Sequence, residues 1–447
     1  MSADVTRVTL KRYAPGGLPD RSSGSAGEVE TRRVVAEIVA SVELRGRAAV
    51  LDCRQRFDEV DRDRPLLVDR SSWQAAVSEL ERQQPELLAV LRSRHENVAT
   101  FARAQRAALL DVDIAVPGGR AGHVFAPVAR AGCYAPGGRY PLPSSVLMTV
   151  ATARAAGVID VTLATPNVSA VMLAAAEIAG ATRVLHCGGA QAIAAMAFGV
   201  AGEAERVPAA DVIVGPGNKY VTEAKRLLSG RVGIDMLAGP SEVLIVAVPE
   251  AGYNVDAGVI AADMLAQAEH DADAAAILVT TDAGLVDRVE IELGLQLADL
   301  STVVTARQAI ANSFAVVCAS RAECLDVAGR LAPEHLELFT ADAAGDLGKV
   351  TSYGGAFVGS ASAEVFGDYG VGPNHTLPTS GVARFSAGLS VMHFVRARTW
   401  LRMDRGDAGT TVRDTYQAVC RDTAIFARAE GLEAHARATE IRASARR

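Results

Sequence analysis

Apolar positions in roughly the first 130 residues recur at the spacing of amphipathic helices. The segments VVAEIVASVEL and SWQAAVSELERQQPELLAVLRSRHENVATFARAQRAAL show this spacing, and GG and PG pairs interrupt it. Apolar residues at i, i+3, i+4 and i+7 form a stripe along one face of a helix. This part of the chain is therefore predicted to be mostly helical.

The pattern changes at about Ala131, where short runs of valine, isoleucine and leucine begin to alternate with alanine-rich helical segments. A first series contains the strand patterns VTLATP, RVLHC and DVIVGP, and a second contains VLIVAV, AAILVTT, FAVVCA and HLELFT. Apolar strands that alternate with helices are typical of parallel sheets covered on both faces. We therefore expect two doubly wound α/β domains that join near Ser241, followed after LPTSG by a helical appendage of about 65 residues.

Composition and charge narrow the class of protein. The 447 residues are 49% hydrophobic and 22% charged, which is typical of a soluble globular protein with more than one domain. The net charge of −7 argues against nucleic-acid and anionic-membrane partners, and the longest basic run is a pair such as Arg446-Arg447. The start of the chain has no apolar signal segment, and the most apolar stretch, Val168 to Gly202, is interrupted by charged residues. The six cysteines form no C-x-x-C pair, so we expect a reducing cytoplasm.

Three glycine-rich turns follow predicted strands of the first series: YAPGG (Tyr134 to Gly138), GGAQ (Gly188 to Gln191) and GPGNKY (Gly215 to Tyr220). Each is compatible with a phosphate-binding turn or with a tight strand-to-helix turn. GPGNKY lacks the third glycine of the dinucleotide fingerprint, and no acidic residue stands at the usual distance after it. The three turns nevertheless share the strand ends at which open sheets bind ligands.

The stretch LAQAEHDADA places Gln267 and His270 three residues apart in a predicted helix. Side chains at i and i+3 lie on one face, so this pair is either a pair of metal ligands or part of a hydrogen-bonded surface. PEHLEL places Glu334 and His335 side by side at the entrance to a strand, which is suited to acid-base chemistry.

Two further segments carry groups that bind metals or move protons. FGDYGVGPNHTLPT holds Asp368 and His375 in a glycine-rich loop, and EGLEAHARA places Glu430 and His435 on the C-terminal helix, where a salt-bridged surface histidine is the alternative. Gln267, His270, Asp368 and one more histidine form a nitrogen and oxygen ligand set, which suits zinc, with cobalt or manganese as substitutes. The chain has no G-x-S-x-G or Walker motif, which argues against a hydrolase or kinase.

Taken in order, these motifs resemble the histidinol dehydrogenase family over nearly the whole chain. The segments that carry the resemblance are YAPGG, GGAQAIAAMAFG, GPGNKYVTEAKR, DMLAGPSE, QAEHD, PEHLEL, GDYGVGPNHTLPT, ARFSAGLSV and EGLEAHARA, with weaker similarity in RFDEVD and NVATFARAQ. The resemblance implies a cytoplasmic enzyme that oxidises the small molecule L-histidinol to L-histidine through L-histidinaldehyde, the last step of histidine biosynthesis. It implies one Zn²⁺ per subunit and two NAD molecules per turnover.

The resemblance also implies a fold. We expect an intertwined homodimer of two incomplete Rossmann-like doubly wound domains with small N- and C-terminal helical segments. The implied ranges are an N-terminal arm (1–28), a first α/β domain with the zinc and catalytic residues (29–132 and 242–378), a second, NAD-binding α/β domain (133–241) and a C-terminal segment that reaches the partner's site (379–447).

Residue roles carried over by motif follow the same resemblance. Glu334 and His335 match the catalytic pair. The zinc ligands match Gln267, His270, Asp368 and His435, the last supplied by the partner subunit. The NAD site matches Tyr134, Gln191 and Asn218. The ligands and His335, together with Glu334, Ser241, His375 and Glu430, match substrate contacts.

Departures from the family pattern leave other functions open as hypotheses. Leu237 and Ala272 stand where the family usually has proline, and HFVRARTW is atypical. One alternative is a paralogue that keeps zinc, NAD and the base but oxidises another primary alcohol, such as a sulfonated diol. A thiol mechanism would require Cys133, and a metal-binding protein without catalysis would leave Glu334 and His335 unexplained.

Overall fold

The protein is described here by a computed structural model that covers residues 8–19, 26–137, 141–202 and 206–444. Parts of the expected N-terminal arm (1–7 and 20–25), Gly138 of YAPGG and the Arg446-Arg447 pair lie outside the described residues.

The strands and helices of the described residues are as follows. The strands are β1 (Lys11–Tyr13), β2 (Val112–Val116), β3 (Gly119–Pro127), β4 (Arg130–Tyr134), β5 (Asp160–Thr165), β6 (Arg183–His186), β7 (Val200–Ala201), β8 (Arg206–Val207), β9 (Val212–Val214), β10 (Gly233–Ile234), β11 (Glu242–Ala247), β12 (Ala275–Thr280), β13 (Phe314–Val317), β14 (His335–Phe339), β15 (Gly355–Val358) and β16 (Val395–Met403). The helices are α1 (Ala26–Arg45), α2 (Arg47–Phe57), α3 (Arg70–Gln83), α4 (Pro85–Ala107), α5 (Pro143–Val146), α6 (Thr152–Ala155), α7 (Ala170–Ala179), α8 (Gly189–Phe198), α9 (Lys219–Leu228), α10 (Ala257–Ala268), α11 (Ala283–Ala298), α12 (Val303–Asn312), α13 (Arg321–Leu331), α14 (Ala343–Leu347), α15 (Glu364–Asp368), α16 (Thr411–Ala429) and α17 (Glu433–Ser444). A π-helical turn, Leu147–Ala151, joins α5 to α6.

The chain forms two compact units. Residues 1–104 and 128–394 make the first, and residues 105–127 and 395–447 make the second. Two parallel sheets form the framework of the first unit, in the orders β1-β13-β12-β11-β14-β15 and β10-β9-β4-β5-β6. The predicted α/β class with parallel sheets is therefore confirmed. In each sheet the chain order reverses once, between β11 and β14 and between β4 and β9.

Apolar strands bury both faces of the six-stranded sheet because successive side chains of a strand point in opposite directions. On β11, Val243 and Ile245 pack beneath α10, α11 and α12, whereas Leu244 and Val246 pack beneath α13. The alternation of short apolar strands with helices predicted this layering. None of the helices in the described residues combines the length and apolar character needed to cross a bilayer.

The first two helices pack against the five-stranded sheet. Val35 and Val42 of α1 and Val50 of α2 join one core with the alanine-rich helix α8 and with Leu185 of β6. The larger apolar side chains of α1 and α2 fill the core volume that the small alanine side chains of α8 leave open. These contacts join α1 and α2 to the strands and helices of 133–241. The implied domain ranges stay a prediction.

The second unit contains a three-stranded antiparallel sheet in the order β16-β3-β2, together with α16 and α17. The prediction of a helical appendage is therefore wrong for β16, whereas the prediction of a mostly helical start is confirmed by α1 to α4, with β2 and β3 as its two strands. The β16 sequence, VRARTWLRM, carries exposed arginines and lacks the apolar run by which the buried strands were recognised.

Candidate active site

The NAD-site residues implied by the resemblance meet at the carboxyl edge of the five-stranded sheet. Tyr134 ends β4, and its hydroxyl oxygen accepts a hydrogen bond from the Gly189 N–H at the start of α8 (3.0 Å). Gln191 lies in the first turn of that helix and is buried. Burial raises the pKa of Tyr134 above its ordinary value, so the phenol stays protonated.

Asp58, just after α2, reaches the same edge. Its carboxylate accepts a hydrogen bond from Gly188 N–H (2.8 Å). Burial raises its pKa, although hydrogen bonds from Gly188 and from the Gln191 side chain oppose that shift. Sequence reasoning found Asp58 only as part of the weak RFDEVD similarity. A groove of about 560 Å³ opens beside it, lined by Phe57, Asp58, Gly137, Pro166, Asn167, Val168 and Ser169.

The GPGN turn completes this edge. Gly215 has a φ of +120°, and a Cβ at this position would lie 2.1 Å from the Tyr134 carbonyl oxygen, so only glycine fits. Asn218 caps α9 through its Oδ1, which accepts hydrogen bonds from Tyr220 N–H (3.1 Å) and Val221 N–H (3.2 Å). The structure therefore shows a tight strand-to-helix turn here, and the ligand-binding role of the glycine-rich turns stays a prediction.

A buried ion pair fixes the same turn. Lys225 Nζ lies 2.5 Å from Asp235 Oδ1, and their side chains are 3% and 0% exposed. Lys225 also donates to the Gly215 carbonyl oxygen (2.7 Å), and Asp235 Oδ2 accepts from Gly215 N–H (2.7 Å). Both polar groups of the Gly215 backbone are therefore held by the pair.

The catalytic candidates lie at the amino edge of the six-stranded sheet. His335 begins β14, and its Nδ1 donates a hydrogen bond to the Glu242 carbonyl oxygen at the start of β11 (3.0 Å). The proton on Nδ1 leaves Nε2 with its lone pair, and Nε2 is buried without a hydrogen-bond partner among the described residues. Burial lowers the pKa of His335 to about 4, so the ring is neutral at neutral pH.

Glu334 and Glu242 hold each other in place. Glu334 Oε2 accepts from Glu242 N–H (2.9 Å), and Glu242 Oε1 accepts from Glu334 N–H (3.3 Å). Glu334 Oε2 also lies 3.8 Å from His335 Nδ1. Ser241 directly precedes β11, which places it at the same edge. The predicted position of Glu334 and His335 at a strand entrance is confirmed, and Glu242 is a residue that sequence reasoning missed.

Asp368 forms the centre of the polar cluster. Its carboxylate lies 3.4 Å from His270 Nε2, 3.6 Å from His375 Nδ1 and 3.9 Å from His335 Nε2. Burial acts to raise the pKa of Asp368, but hydrogen bonds from His270 and His375 outweigh it and hold the pKa well below its ordinary value. The structure therefore brings these four predicted residues together around one charged carboxylate.

Gln267 and His270 approach the cluster differently from the predicted helix face. Gln267 lies in the last turn of α10, but the helix ends at Ala268, and His270 follows in a turn whose N–H donates to the Gln267 carbonyl oxygen (3.3 Å). The cause is Asp271, whose carboxylate accepts from Asp273 N–H (2.9 Å) and redirects the chain toward β12.

Glu364 is a second acid that sequence reasoning missed. It begins α15 one turn before Asp368, and it is 2% exposed, with neither carboxylate oxygen hydrogen-bonded among the described residues. Burial and the neighbouring carboxylates raise its pKa well above the ordinary value. Burial also raises the pKa of Glu337 to about 8 and that of Asp263 to about 6. The i, i+4 spacing of Glu364 and Asp368 was the available signal.

The donor set fits a metal ion. Ligand atoms of His270, Glu364 and Asp368 lie within 4.8 Å of one another. Gln267 is 1% exposed, and its Oε1 has no hydrogen-bond partner among the described residues. A buried oxygen without a donor is costly, and a cation removes that cost. Nitrogen and oxygen donors without sulfur suit zinc.

The remaining candidates belong to other elements of the chain. Glu430 follows α16 and His435 lies on α17, both exposed in the second unit. Cys133 lies within β4, and burial raises its pKa to about 12, so a thiolate nucleophile is disfavoured there.

Comparison with known proteins places the chain in one family. A family model described as histidinol dehydrogenase matches residues 21–443. The chain is 42% identical to histidinol dehydrogenase from Moorella thermoacetica, with 91% of this chain and 93% of the relative covered. It is 37% identical to sulfopropanediol 3-dehydrogenase from Ruegeria pomeroyi, covering 97% and 96%.

A solved structure agrees with these similarities. The crystal structure of histidinol dehydrogenase from Elizabethkingia anophelis shares 31% identity with this chain, covers 97% of this chain and 98% of its own, and superposes with a TM-score of 0.86. The resemblance inferred from the ordered motifs is thereby confirmed. The chain belongs to the histidinol dehydrogenase family and is a dehydrogenase.

Proposed function

We propose that this protein is a zinc- and NAD-dependent enzyme that oxidises L-histidinol to L-histidine through L-histidinaldehyde, the last step of histidine biosynthesis in the cytoplasm. The supporting observation is the amino-edge cluster, where a neutral histidine with a free Nε2 faces a charged aspartate. The two parallel sheets, each with one reversal of strand order, support the Rossmann-like description of the two domains.

Gln267, His270 and Asp368 would hold the zinc, with His435 of the partner subunit as a fourth ligand. Bound zinc would supply a positive template for the imidazole and amino nitrogens of the substrate. Ser241, His375, Glu430 and the catalytic pair would contact the substrate around it. Tyr134, Gln191 and Asn218 would bind NAD, which accepts hydride.

His335 would act as the base in both oxidations. Its Nδ1 proton is committed to the Glu242 carbonyl oxygen, so Nε2 is the atom that takes the hydroxyl proton while the hydride leaves the carbinol carbon. The same nitrogen takes the proton of the aldehyde hydrate in the second oxidation. Glu334, held by the Glu242 N–H, would take a proton from the water that adds to the aldehyde.

The charge of the site favours an amino alcohol over a sulfonate. After burial, the charged groups of the described residues that shift the pKa values of His335, Glu364 and Asp368 most are carboxylates and imidazoles, with no lysine or arginine among them. A second candidate is nevertheless a sulfonated diol, because the sulfopropanediol 3-dehydrogenase relative is similar over almost its full length.

One assay separates the two substrates. NADH formation is measured with L-histidinol and with sulfopropanediol, before and after removal of the metal by a chelator. We expect two NADH per histidinol, a kcat/KM at least about 10²-fold higher than for the diol, and reversible loss of turnover with about one zinc removed per chain. Preference for the diol would overturn the substrate, and full turnover without metal would overturn the zinc site.

We also propose a homodimer in which Glu430 and His435 complete the site of the partner. Chains carrying His335→Asn and His435→Ala are co-expressed. If His435 crosses over, each heterodimer has one intact site, so random pairing restores roughly a quarter of wild-type turnover while each homodimer is inactive. Heterodimers that form and show no turnover would place His435 in the site of its own chain.

A further inference from the structure

A π-helical turn interrupts the helical stretch that follows β4. Leu147–Ala151 forms this turn between α5 and α6, and both α5 and the turn contact β4, the strand that ends at Tyr134. π-Helical turns are rare and recur at functional sites. This one lies on the sheet whose carboxyl edge carries the proposed NAD residues.

Asn374 binds to this turn through its side-chain amide. Its Nδ2 donates to the Met148 carbonyl oxygen (2.9 Å) and to Thr152 Oγ1 (3.1 Å), and its Oδ1 accepts from Thr376 N–H (3.0 Å). Thr152 gives its own hydroxyl hydrogen to the Met148 carbonyl oxygen (2.6 Å), so its oxygen is an acceptor for Asn374. Only a side-chain amide can both donate to these two oxygens and accept from Thr376 N–H. A carboxylate at this position has no hydrogen to donate to the Met148 carbonyl oxygen and Thr152 Oγ1.

The neighbour of Asn374 belongs to the catalytic cluster. His375 directly follows it, and His375 Nδ1 lies 3.6 Å from Asp368 Oδ1. A second asparagine holds the same loop at another point, since Asn97 Nδ2 of α4 donates to the Gly370 carbonyl oxygen (3.2 Å). Asn374 therefore ties the loop to a helix of the five-stranded sheet, whereas Asn97 ties it to α4.

We propose that Asn374 is a positioning residue that sets the distance between the alcohol site and the hydride acceptor. Its amide fastens the His375 loop of one sheet to the π-helical turn of the other. Hydride transfer requires reacting atoms about 3–3.5 Å apart, and a displacement of about 1 Å costs ~10²-fold in rate. This inference rests on the proposed dehydrogenase function.

The test compares Asn374→Ala with Asn97→Ala, which removes a similar hydrogen bond from the same loop. The readouts are kcat, KM for NAD, zinc content and the primary deuterium isotope effect with histidinol deuterated at the carbinol carbon. For Asn374→Ala we expect a roughly 10- to 100-fold fall in kcat, an increased isotope effect, and an NAD KM and zinc content close to wild type. Asn97→Ala should leave the isotope effect unchanged.

Thr152 provides a second matched pair. Thr152→Ser keeps the acceptor oxygen and should retain wild-type kcat, whereas Thr152→Val removes it and should lower kcat in the same direction as Asn374→Ala. An isotope effect that is the same for Asn374→Ala and Asn97→Ala would overturn the positioning role.

Hydrogen exchange keeps the test independent of turnover. Peptides that cover residues 147–152 and 372–377 should lose protection together in Asn374→Ala and keep it in Asn97→Ala. If the wild type oxidises neither histidinol nor sulfopropanediol, the proposed function fails. Hydrogen exchange still decides whether Asn374 links the His375 loop to the π-helical turn. Unchanged protection in Asn374→Ala would overturn the link itself.

Discussion

The two parallel sheets of the first unit reverse their strand order once each, yet their polar clusters occupy opposite edges. In the five-stranded sheet, Tyr134, the GGAQ turn and the GPGN turn lie at the carboxyl edge, where open sheets usually bind ligands. In the six-stranded sheet, Glu242, Glu334 and His335 lie at the amino edge.

The carboxyl edge of the six-stranded sheet shows why its cluster lies elsewhere. Arg321 Nε lies 3.3 Å from Asp346 Oδ2, Lys349 Nζ lies 2.8 Å from Asp346 Oδ1, and Thr340 Oγ1 donates to Asp346 (2.6 Å). Asp346 is fully buried, and its pKa is lowered because hydrogen bonds and cations outweigh the effect of burial. The charged groups at this edge therefore pair with one another. The comparison teaches that a reversal of strand order marks a possible ligand site, whereas the side chains decide which edge of the sheet binds the ligand.

The largest expected effect tests the amino edge. His335→Asn removes the base of both oxidations, so histidinol and histidinaldehyde turnover should each fall by about 10²- to 10⁴-fold. Glu334→Gln should slow aldehyde oxidation more than alcohol oxidation. Single-turnover NADH formation with each substrate measures the two steps separately.

The control lies at the other edge of the same sheet. Arg321→Met removes one charge of the Asp346 network and should lower the free energy of unfolding while turnover per folded chain stays within about twofold. A comparable loss of turnover in Arg321→Met would mean that both edges serve catalysis. Equal losses in both oxidations for Glu334→Gln would contradict its role in the water step.

The next effect tests the carboxyl edge of the five-stranded sheet. Lys225→Met leaves Asp235 buried without its cation, so the free energy of unfolding should fall by about 3–5 kcal/mol, measured by urea denaturation. The chains that remain folded should show a raised KM for NAD because Gly215 loses one of its two anchors. Arg226→Met breaks a pair on the same helix in which Arg226 is 45% and Glu223 9% exposed, so it should cost less than Lys225→Met. Equal losses for the two variants would refute a special role for the buried pair.

The most gradual effect is spread over several pH units and concerns Glu337, a buried acid two residues after His335. The pKa of Glu337 is raised from 4.5 to about 8, so its contribution to stability is complete below pH 4.5 and is lost as the pH rises through 8. In that window the free energy of unfolding should fall by up to ~1.4 kcal/mol per pH unit. Glu337→Gln keeps an acceptor for Glu364 N–H and should flatten this dependence. A wild-type curve that is already flat from pH 5 to 8 would contradict the buried protonated pair with Asp263.

The sequence predicted the buried framework well because fully buried strands leave continuous apolar runs between helices. β11 and β12 illustrate this, since every residue of VLIVA and AILVT is buried. β16 escaped prediction because it is exposed, and its arginines carry no such pattern.

The candidate site was predictable only in part. His335 and Asp368 stand in distinctive motifs, and the structure brings them together. Glu242 has no acidic or histidine neighbour in the sequence, Glu364 offers only its i, i+4 spacing to Asp368, and the importance of both arises from burial that only the tertiary structure creates. The end of α10 before His270 also depended on a local turn that competes with the helix.

The edge strand β1 has a consequence for the order of synthesis. Lys11, Arg12 and Tyr13 pair with Phe314, Ala315 and Val316 of β13, so β1 is synthesised some 300 residues before its partner strand. Before β13 is synthesised, β1 has no strand with which to form backbone hydrogen bonds. Without β1, β13 is the unpaired edge strand of the sheet. We therefore expect β1 to join the six-stranded sheet after β13 has formed. Truncations or fusions that disrupt β1 would leave β13 as an unpaired edge strand. We expect such variants to aggregate, while the chains that stay folded keep their catalytic residues.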